Sequence, residues 1–148
     1  MGRIRVSTVI DASPTQVWSV VERVEAHVDW MADATAIRII SGKRRGVGTR
    51  FECDTRVGPF TLTDEMEITE WRDRRVMGVR HSGVVTGTGR FTLRRVRGGR
   101  TRFRWDERLV FPWWMGGPVG GVVGGQVLRL IWKRNLRTLK TLVERSRS

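Results

Sequence analysis

The sequence predicts an α+β fold in which one strand, two short helices and six further strands precede a long C-terminal helix. Three patterns in the 148 residues predict it. Apolar residues recur at helical spacing over residues 119–148, a strong helix start follows residue 12, and residues 36–111 alternate in hydrophobicity with a period of two. A helix of about 25 residues would extend about 37 Å, too far to bury its apolar stripe on a small partner. We therefore expect a sheet to curve around this helix.

The first predicted elements are a strand and two short helices. Residues 3–10 alternate between polar and apolar side chains, which is typical of a half-buried strand. Ser13, Pro14 and Gln16 then have the order of a capping box with proline at the first helical position, so a helix begins there. A second short helix is predicted over residues 26–31.

Six strands are predicted after residue 34. Short turns connect them, and short connections join antiparallel neighbours, so the strands form a meander. The last turn, Arg97-Gly98-Gly99, offers glycine where a hairpin needs a positive φ. The predicted strands cover residues 36–41, 49–57, 60–69, 75–82, 88–96 and 100–111.

A glycine-rich segment precedes the long C-terminal helix. Residues 110–128 carry no charged side chain and approach the length of a transmembrane helix, but six glycines, two prolines and Gln126 disfavour a span. We interpret residues 111–125 as a pliable loop, because each glycine costs a helix about 1 kcal/mol. Leu128, Ile131 and Trp132 begin the apolar stripe of the helix.

The composition excludes some classes of protein but does not indicate a function. The formal net charge is +13, but nearly all basic residues are arginines, as GC-rich coding would produce, so we discount the charge as a functional signal. The single cysteine, Cys53, excludes an internal disulfide. The length predicts one domain over residues 1–148, and the first residues carry no signal peptide pattern, so we expect a cytoplasmic protein.

The predicted outer face of the last two strands is basic. An RNA-binding sheet would present aromatic stacking platforms there, yet the aromatic residues of these strands alternate with the arginines and so face inward. We therefore expect a solvated face and do not expect nucleic acid as a partner. The arginines of this face are Arg90, Arg94, Arg102, Arg104 and Arg108.

Turn lengths predict a row of polar residues on the inner face of the sheet. His81 and Asp64 would lie opposite each other within hydrogen-bonding distance, and Glu107 would lie two strands away from His81, at about 10 Å. Buried carboxylates must pair, reach water or shift their pKa, so the row is informative. In strand order the predicted row is Cys53, Asp64, His81, Gly89 and Glu107.

This polar row has three interpretations. It is a structural pair solvated at a cavity entrance, or His81 performs general acid–base catalysis with Asp64 as its orienting partner, or the groups orient a ligand in an apolar pocket. Cys53 is predicted to be a small buried side chain, because its neighbour would be the carboxylate and not the histidine. His27 is predicted to lie at a helix end, too far in sequence from His81 for a metal motif, so neither metal nor cofactor is expected.

The chain resembles the START-like helix-grip superfamily, also called SRPBCC, which includes polyketide cyclases/dehydrases and small lipid-transport proteins. Residues 10–18 resemble its first strand-to-helix junction, residues 27–31 its second helix, and residues 102–109 its final strand. The resemblance implies a helix-grip fold, with a seven-stranded antiparallel sheet wrapped around the C-terminal helix and a hydrophobic cavity between them. It also implies binding of a lipid or polyketide-like molecule or, alternatively, polyketide cyclase/dehydrase activity.

Site residues follow from the resemblance and the predicted faces. In a cyclase/dehydrase, His81, Asp64 and Glu107 would handle protons. Trp113 and Trp114 would cap the cavity or make transient contact with an anionic membrane surface. The predicted lining of the cavity comprises Phe51, Met66, Met77, Phe91, Trp105, Leu128, Ile131 and Trp132.

Overall fold

One antiparallel sheet and one long helix dominate the structure. The computed structural model describes residues 2–112, 114 and 117–146, with side chains for all of these except residues 2 and 117–122. The elements in chain order are β1 (Gly2–Ile10), α1 (Pro14–Val21), a 3₁₀ helix (Val24–Asp29), β2 (Ala34–Ile39), β3 (Arg50–Val57), β4 (Phe60–Arg72), β5 (Val76–Ser82), β6 (Thr86–Val96), a 3₁₀ turn (Arg97–Gly99), β7 (Arg100–Val110) and α2 (Gly117–Ser146).

The sheet has the predicted meander topology. Its spatial order is β1-β7-β6-β5-β4-β3-β2, so β1 pairs with the last strand and β2 forms the opposite edge. The C-terminal helix packs against the inner face, with much of its contact on β1. The predicted helix-grip fold is therefore confirmed.

Local sequence accounts for the first helix. The Ser13 hydroxyl accepts a hydrogen bond from the Gln16 amide at 3.2 Å, and the Gln16 side chain accepts one from the Ser13 amide at 2.9 Å. This is the predicted capping box, and Pro14 occupies the first turn. The short helix after it, predicted over residues 26–31, is a 3₁₀ helix over Val24–Asp29.

The strand register is confirmed for two hairpins and wrong for two others. Cys53 lies opposite Asp64, and Gly89 lies opposite Glu107, as predicted. His81, however, lies opposite Met66 and Gly87, two residues from the predicted positions in each case. The β4–β5 turn closes at residues 73–75, with Arg72 opposite Val76, which moves the pairing by three residues, and a bulge between Ile68 and Glu70 reduces this shift to two. The β5–β6 connection is shorter than predicted, which moves that pairing by two residues. Because both shifts are even, His81 keeps its inward orientation.

The long helix begins earlier than predicted. It starts at Gly117, so the predicted loop over residues 111–125 is wrong from Gly117 onward. Pro118 lies in the first turn, where the missing N–H removes no helical hydrogen bond, so this proline does not interrupt the helix. Among the described residues, no helix is both long and apolar enough to cross a membrane.

The inner face of the sheet is divided between a packed core and a cavity. The second half of α2 packs with α1 and the sheet around fully buried side chains, including Val17, Phe103 and Leu139. The first half of α2 stands over β3 to β6, where space remains. The fold thus leaves space at one end of the interior.

Candidate functional site

A cavity of about 520 Å³ lies between the sheet and the first half of α2. Most of its lining is apolar, and seven of the eight predicted lining residues surround it. The exception is Ile131, which is half-buried and packs against the core instead. The seven are Phe51, Met66, Met77, Phe91, Trp105, Leu128 and Trp132.

A buried ion pair lies on the cavity wall, and its partners differ from the predicted ones. His81 Nε2 lies 2.8 Å from Glu107 Oε2, so the side chains span the two strand spacings, about 10 Å, that were expected to separate these residues. Glu107 Oε1 also accepts a hydrogen bond from the indole N–H of Trp105 at 3.0 Å. The expected hydrogen bond between His81 and Asp64 is not formed. The shift of β5 places His81 opposite Gly87, one inward-facing position from the level of Glu107, and the two side chains meet diagonally across β6, where Gly87 and Gly89 carry no side chain.

Glycine at position 89 makes this ion pair possible. Gly89 lies directly opposite Glu107 on the neighbouring strand. A Cβ at this position would overlap the Glu107 carboxylate, so any other residue would displace it. The carboxylate therefore lies over β6 and reaches His81 on β5.

The pKa of His81 is raised above its usual value. Burial alone would lower the pKa, but the charge of Glu107, its hydrogen bond to the imidazole and the charge of Asp64 outweigh burial. The raised pKa favours the imidazolium, in which Nε2–H donates to Glu107 and Nδ1–H is available as a second donor. The wall of the cavity thus holds a group that can give up a proton.

Asp64 is the least satisfied carboxylate of the cavity. Asp64 is only 6% exposed, and its Oδ1 accepts a hydrogen bond from the Val84 amide at 3.0 Å. Among the described residues, nothing donates to Oδ2. A Cβ at Gly83 would overlap Asp64, so a glycine again makes room for a buried carboxylate.

A third carboxylate, missed in the sequence, connects α2 to the chain before β2. Asp33 accepts hydrogen bonds from Trp132 Nε1 at 3.0 Å and from Asn135 Nδ2 at 2.7 Å. Asn135 Oδ1 in turn accepts from the Ala32 amide at 3.0 Å. The available signal was Asn135, a polar residue on the apolar stripe of the predicted helix. Asp33 and Trp132 both line the cavity.

Two indoles form the deep wall of the cavity. The rings of Trp105 and Trp132 stack with centroids 4.5 Å apart and planes 16° from parallel. One indole comes from β7 and the other from α2, and each donates its N–H to a different carboxylate. The stack therefore joins sheet to helix where the cavity meets the core.

His27 and Cys53 also line the cavity, and both are uncharged at neutral pH. His27 Nε2 donates to the Val21 carbonyl at 2.7 Å, and burial lowers the pKa of His27 to about 4. Burial raises the pKa of the Cys53 thiol to about 11, so Cys53 is the small buried side chain that was predicted. Over residues 2–112, 114 and 117–146, no three His, Cys, Asp or Glu side chains are grouped to hold a metal ion.

The cavity opens between the β3–β4 turn and α2. Phe60, Val123 and Val127 line the cavity and are also exposed, so they define the cavity mouth. Trp114 is 56% exposed and does not cover the cavity. Trp113, the other predicted lid residue, lies outside the described residues.

Comparisons with known proteins agree with this architecture. A family model described as polyketide cyclase/dehydrase and lipid transport matches residues 1–144. Among curated proteins, none matches.

Solved structures with similar folds come from several bacteria. A Thermus thermophilus protein has a TM-score of 0.81 at 17% identity, covering 99% of this chain and 100% of that one. The Zhui aromatase/cyclase of a Streptomyces species has a TM-score of 0.77 at 17% identity, covering 99% and 96%. A START superfamily protein of Mycobacterium smegmatis has a TM-score of 0.74 at 15% identity, covering 97% of both chains. At these identities the likeness shows the fold alone.

Proposed function

Because the chain belongs to the polyketide cyclase/dehydrase and lipid transport family, we propose that it binds a hydrophobic small molecule in the cavity. The observation that carries the proposal is the cavity itself, at about 520 Å³ with a mostly apolar lining. Ligand pockets commonly enclose about 300–1,000 Å³.

The lining suits an adaptable apolar ligand. Met66 and Met77 are unbranched and can adjust their rotamers, while the rings of Phe91 and Trp105 offer flat apolar faces. Polar groups are few and concentrated on the strands. This combination supports recognition by shape, with orientation set by the polar wall.

Binding can be tested with a matched pair of tryptophan variants on α2. Leu128 points into the cavity, whereas Leu130 is exposed on the same helix. We expect Leu128→Trp to fill the cavity and weaken binding of the neutral dye Nile red at least tenfold, while Leu130→Trp leaves it unchanged. Equal binding by both variants would place the dye elsewhere. Mass spectrometry of solvent extracts of the purified protein would identify any bound molecule.

The second candidate function is acid–base catalysis in the same cavity, and the His81–Glu107 pair supports it. An aldol-type cyclisation needs a base to remove a C–H proton beside a carbonyl and an acid to protonate the carbonyl oxygen that is attacked. Imidazolium Nδ1–H of His81 is suited to the acid role, and the Asp64 carboxylate to the base role. Before dehydration, proton exchange with solvent would return His81 to the imidazolium and Asp64 to the carboxylate. Asp64 would then remove a second proton from the carbon beside the carbonyl while His81 protonates the hydroxyl, which leaves as water.

Catalysis can be separated from binding by substituting the acid. With a β-polyketone as substrate, we expect His81→Ala to abolish turnover while dye affinity stays within about threefold of wild type. Glu107→Gln, which keeps the side-chain shape, should lower the pKa of His81 and move the pH–rate profile toward lower pH. Turnover by His81→Ala at the wild-type rate would leave binding as the remaining function.

We also propose a transient contact between the cavity mouth and an anionic membrane. Apolar ligands are scarce in water. Val127 lines the mouth and is exposed, Leu130 is exposed about one turn later in the same helix, and Trp114 is exposed three residues before the helix begins. Exposed Arg129 and Arg134 on the same helix would attract anionic headgroups, at about 1 kcal/mol for each well-placed charge.

Vesicle co-sedimentation at low salt tests this contact. We expect wild type to sediment with vesicles containing phosphatidylserine and the double variant Trp114→Ala/Leu130→Ala to remain largely in the supernatant. Val47→Ala, at an exposed apolar residue near the other end of β3, is the control. Equal sedimentation of all three proteins would show that bulk charge alone is responsible. Absence of wild-type sedimentation would exclude the membrane contact.

A further inference from the structure

The charges inside the cavity have the opposite sign from those of the chain as a whole. The formal net charge of the protein is +13, yet Asp33, Asp64 and Glu107 contribute three carboxylates to the cavity lining. His81 is the cationic partner of Glu107. Arg90 also borders the cavity, but its guanidinium contacts Glu70 on the outer face of the sheet. The interior therefore repels anions that the surface attracts.

The hydrogen bonding of Asp64 differs from that of the other two carboxylates in the cavity lining. Asp33 and Glu107 each accept two hydrogen bonds from side chains, one on each oxygen. Asp64 accepts one, on Oδ1, from the Val84 amide, and no described residue donates to Oδ2. Asp64 is 94% buried and lines the cavity, so its free acceptor is available to water or to a donor group of a molecule in the cavity.

The position of Asp64 suits contact with the polar end of a ligand. It lies on the same strand and face as Phe60 of the cavity mouth, four residues farther in, or about 13 Å along the strand. Met66 and Phe51, which pair on the adjacent strands, continue the wall as apolar surface. A molecule could therefore place a polar group at Asp64 and its apolar body beyond it.

We propose that the cavity selects apolar ligands whose head group donates a hydrogen bond to Asp64 Oδ2, namely an alcohol or a protonated amine, and rejects carboxylates and phosphates. The proposal rests on the proposed binding function. It adds the chemical class of the ligand, which cavity volume and apolar lining leave open. An anionic head group would face Asp64 and the other two carboxylates with one histidine as its counter-charge.

The test is a competition series with one chain length and three head groups. Dodecanol, dodecylammonium and dodecanoate would displace Nile red at 150 mM salt, below the solubility limit of the alcohol and the micelle concentrations of the two ions. We expect the alcohol and the amine to displace the dye at concentrations at least tenfold lower than the acid. Raising the salt would screen attraction of the acid to the basic surface and widen this difference.

Two neighbouring residues provide a matched pair of variants. In Asp64→Asn the amide oxygen can still accept from Val84, while the NH₂ group turns an acceptor into a donor. We expect this variant to lose at least tenfold in amine affinity and to gain affinity for the acid. Glu65→Gln, on the adjacent outward-facing residue, should retain the wild-type order.

The outcomes separate this proposal from the binding function. If dodecanoate displaces the dye from wild type as well as dodecylammonium does, the head-group proposal is wrong and ligand binding stands. If Asp64→Asn keeps the wild-type order while its circular dichroism shows a folded protein, Asp64 is not the recognition group and the proposal is again wrong. If folded wild type binds no dye and none of the three amphiphiles, both proposals are overturned.

Discussion

The stability of the protein should fall between pH 7 and pH 5 because of one buried histidine. His27 is buried, and its pKa is lowered to about 4 from an ordinary value of 6.5. Burial is the main cause, since it disfavours the imidazolium, and the hydrogen bond to the Val21 carbonyl and the nearby Glu25 charge offset it only in part. As the pH falls, His27 therefore binds a proton near pH 6.5 in the unfolded chain but only near pH 4 in the folded protein.

The size of this effect follows from the two pKa values. Linkage gives a loss of about 2 kcal/mol by pH 5 and about 3 kcal/mol by pH 4, with almost none at pH 7. His81 has the opposite sign, because its pKa in the folded protein is raised. Its contribution is fully present below pH 6.5 and is lost as pH rises through the folded pKa, so it increases from pH 7 to pH 5 and partly offsets the His27 loss in wild type. The loss is therefore measured as a difference from a variant that keeps His81.

The assay compares urea unfolding of wild type and His27→Gln between pH 7 and pH 5. Glutamine can donate to the Val21 carbonyl but does not titrate, and titration of the carboxylates cancels in the difference. The free energy of unfolding of wild type should fall by about 2 kcal/mol relative to the variant over this range. A constant difference from pH 7 to pH 5 would show that His27 already accepts a proton in the folded protein, and the argument from burial would be wrong.

Three further predictions concern packing and reactivity. Gly89→Ala should lower the free energy of unfolding in urea by about 1–3 kcal/mol, because the new Cβ displaces the Glu107 carboxylate. Gly42→Ala should be close to neutral, because its Cβ would meet nothing within 4 Å. Equal effects of the two substitutions would contradict the assigned role of Gly89. Cys53 should react with Ellman's reagent at pH 8 at least about a hundredfold more slowly in the folded protein than in urea, and similar rates would contradict its burial. Asn135→Ala should lower the free energy of unfolding by about 1–3 kcal/mol because buried partners lose hydrogen bonds, and an unchanged value would mean that water replaces them.

Alternating hydrophobicity predicted which face of each strand is buried, and it did so correctly even where pairing was wrong. His81 points inward as expected, although its partners across β4 and β6 are two residues from the predicted ones. Periodicity specifies the face of the sheet, and a shift of two residues preserves that face. Position along the strand depends on bulges and on how tightly each turn closes. The β4–β5 turn closes at residues 73–75 and not at 71–74, and the bulge after Ile68 has no signature in the sequence, so the level of His81 in the sheet could not be predicted.

The start of α2 was mispredicted for a different reason. Glycine lowers helix propensity, but propensity is a weak prior that tertiary context overrides. The helix nonetheless runs from Gly117 through Gly124 and Gly125. Asp33 was also missed, because its role depends on Trp132 and Asn135, about 100 residues later in the chain. Contacts between distant segments of this kind leave no local pattern.

The stacked indoles have a consequence for how ligand entry can be observed. Trp105 belongs to the sheet and Trp132 to α2, with ring centroids 4.5 Å apart, close enough for their electronic transitions to couple. Any molecule that moves the helix away from the sheet must separate these rings, and the coupled signal in circular dichroism would then weaken. A Trp132→Phe protein would supply the uncoupled baseline. The protein therefore carries an intrinsic optical reporter of the distance between its two main parts, and the opening of the cavity can be followed in real time without a dye or label.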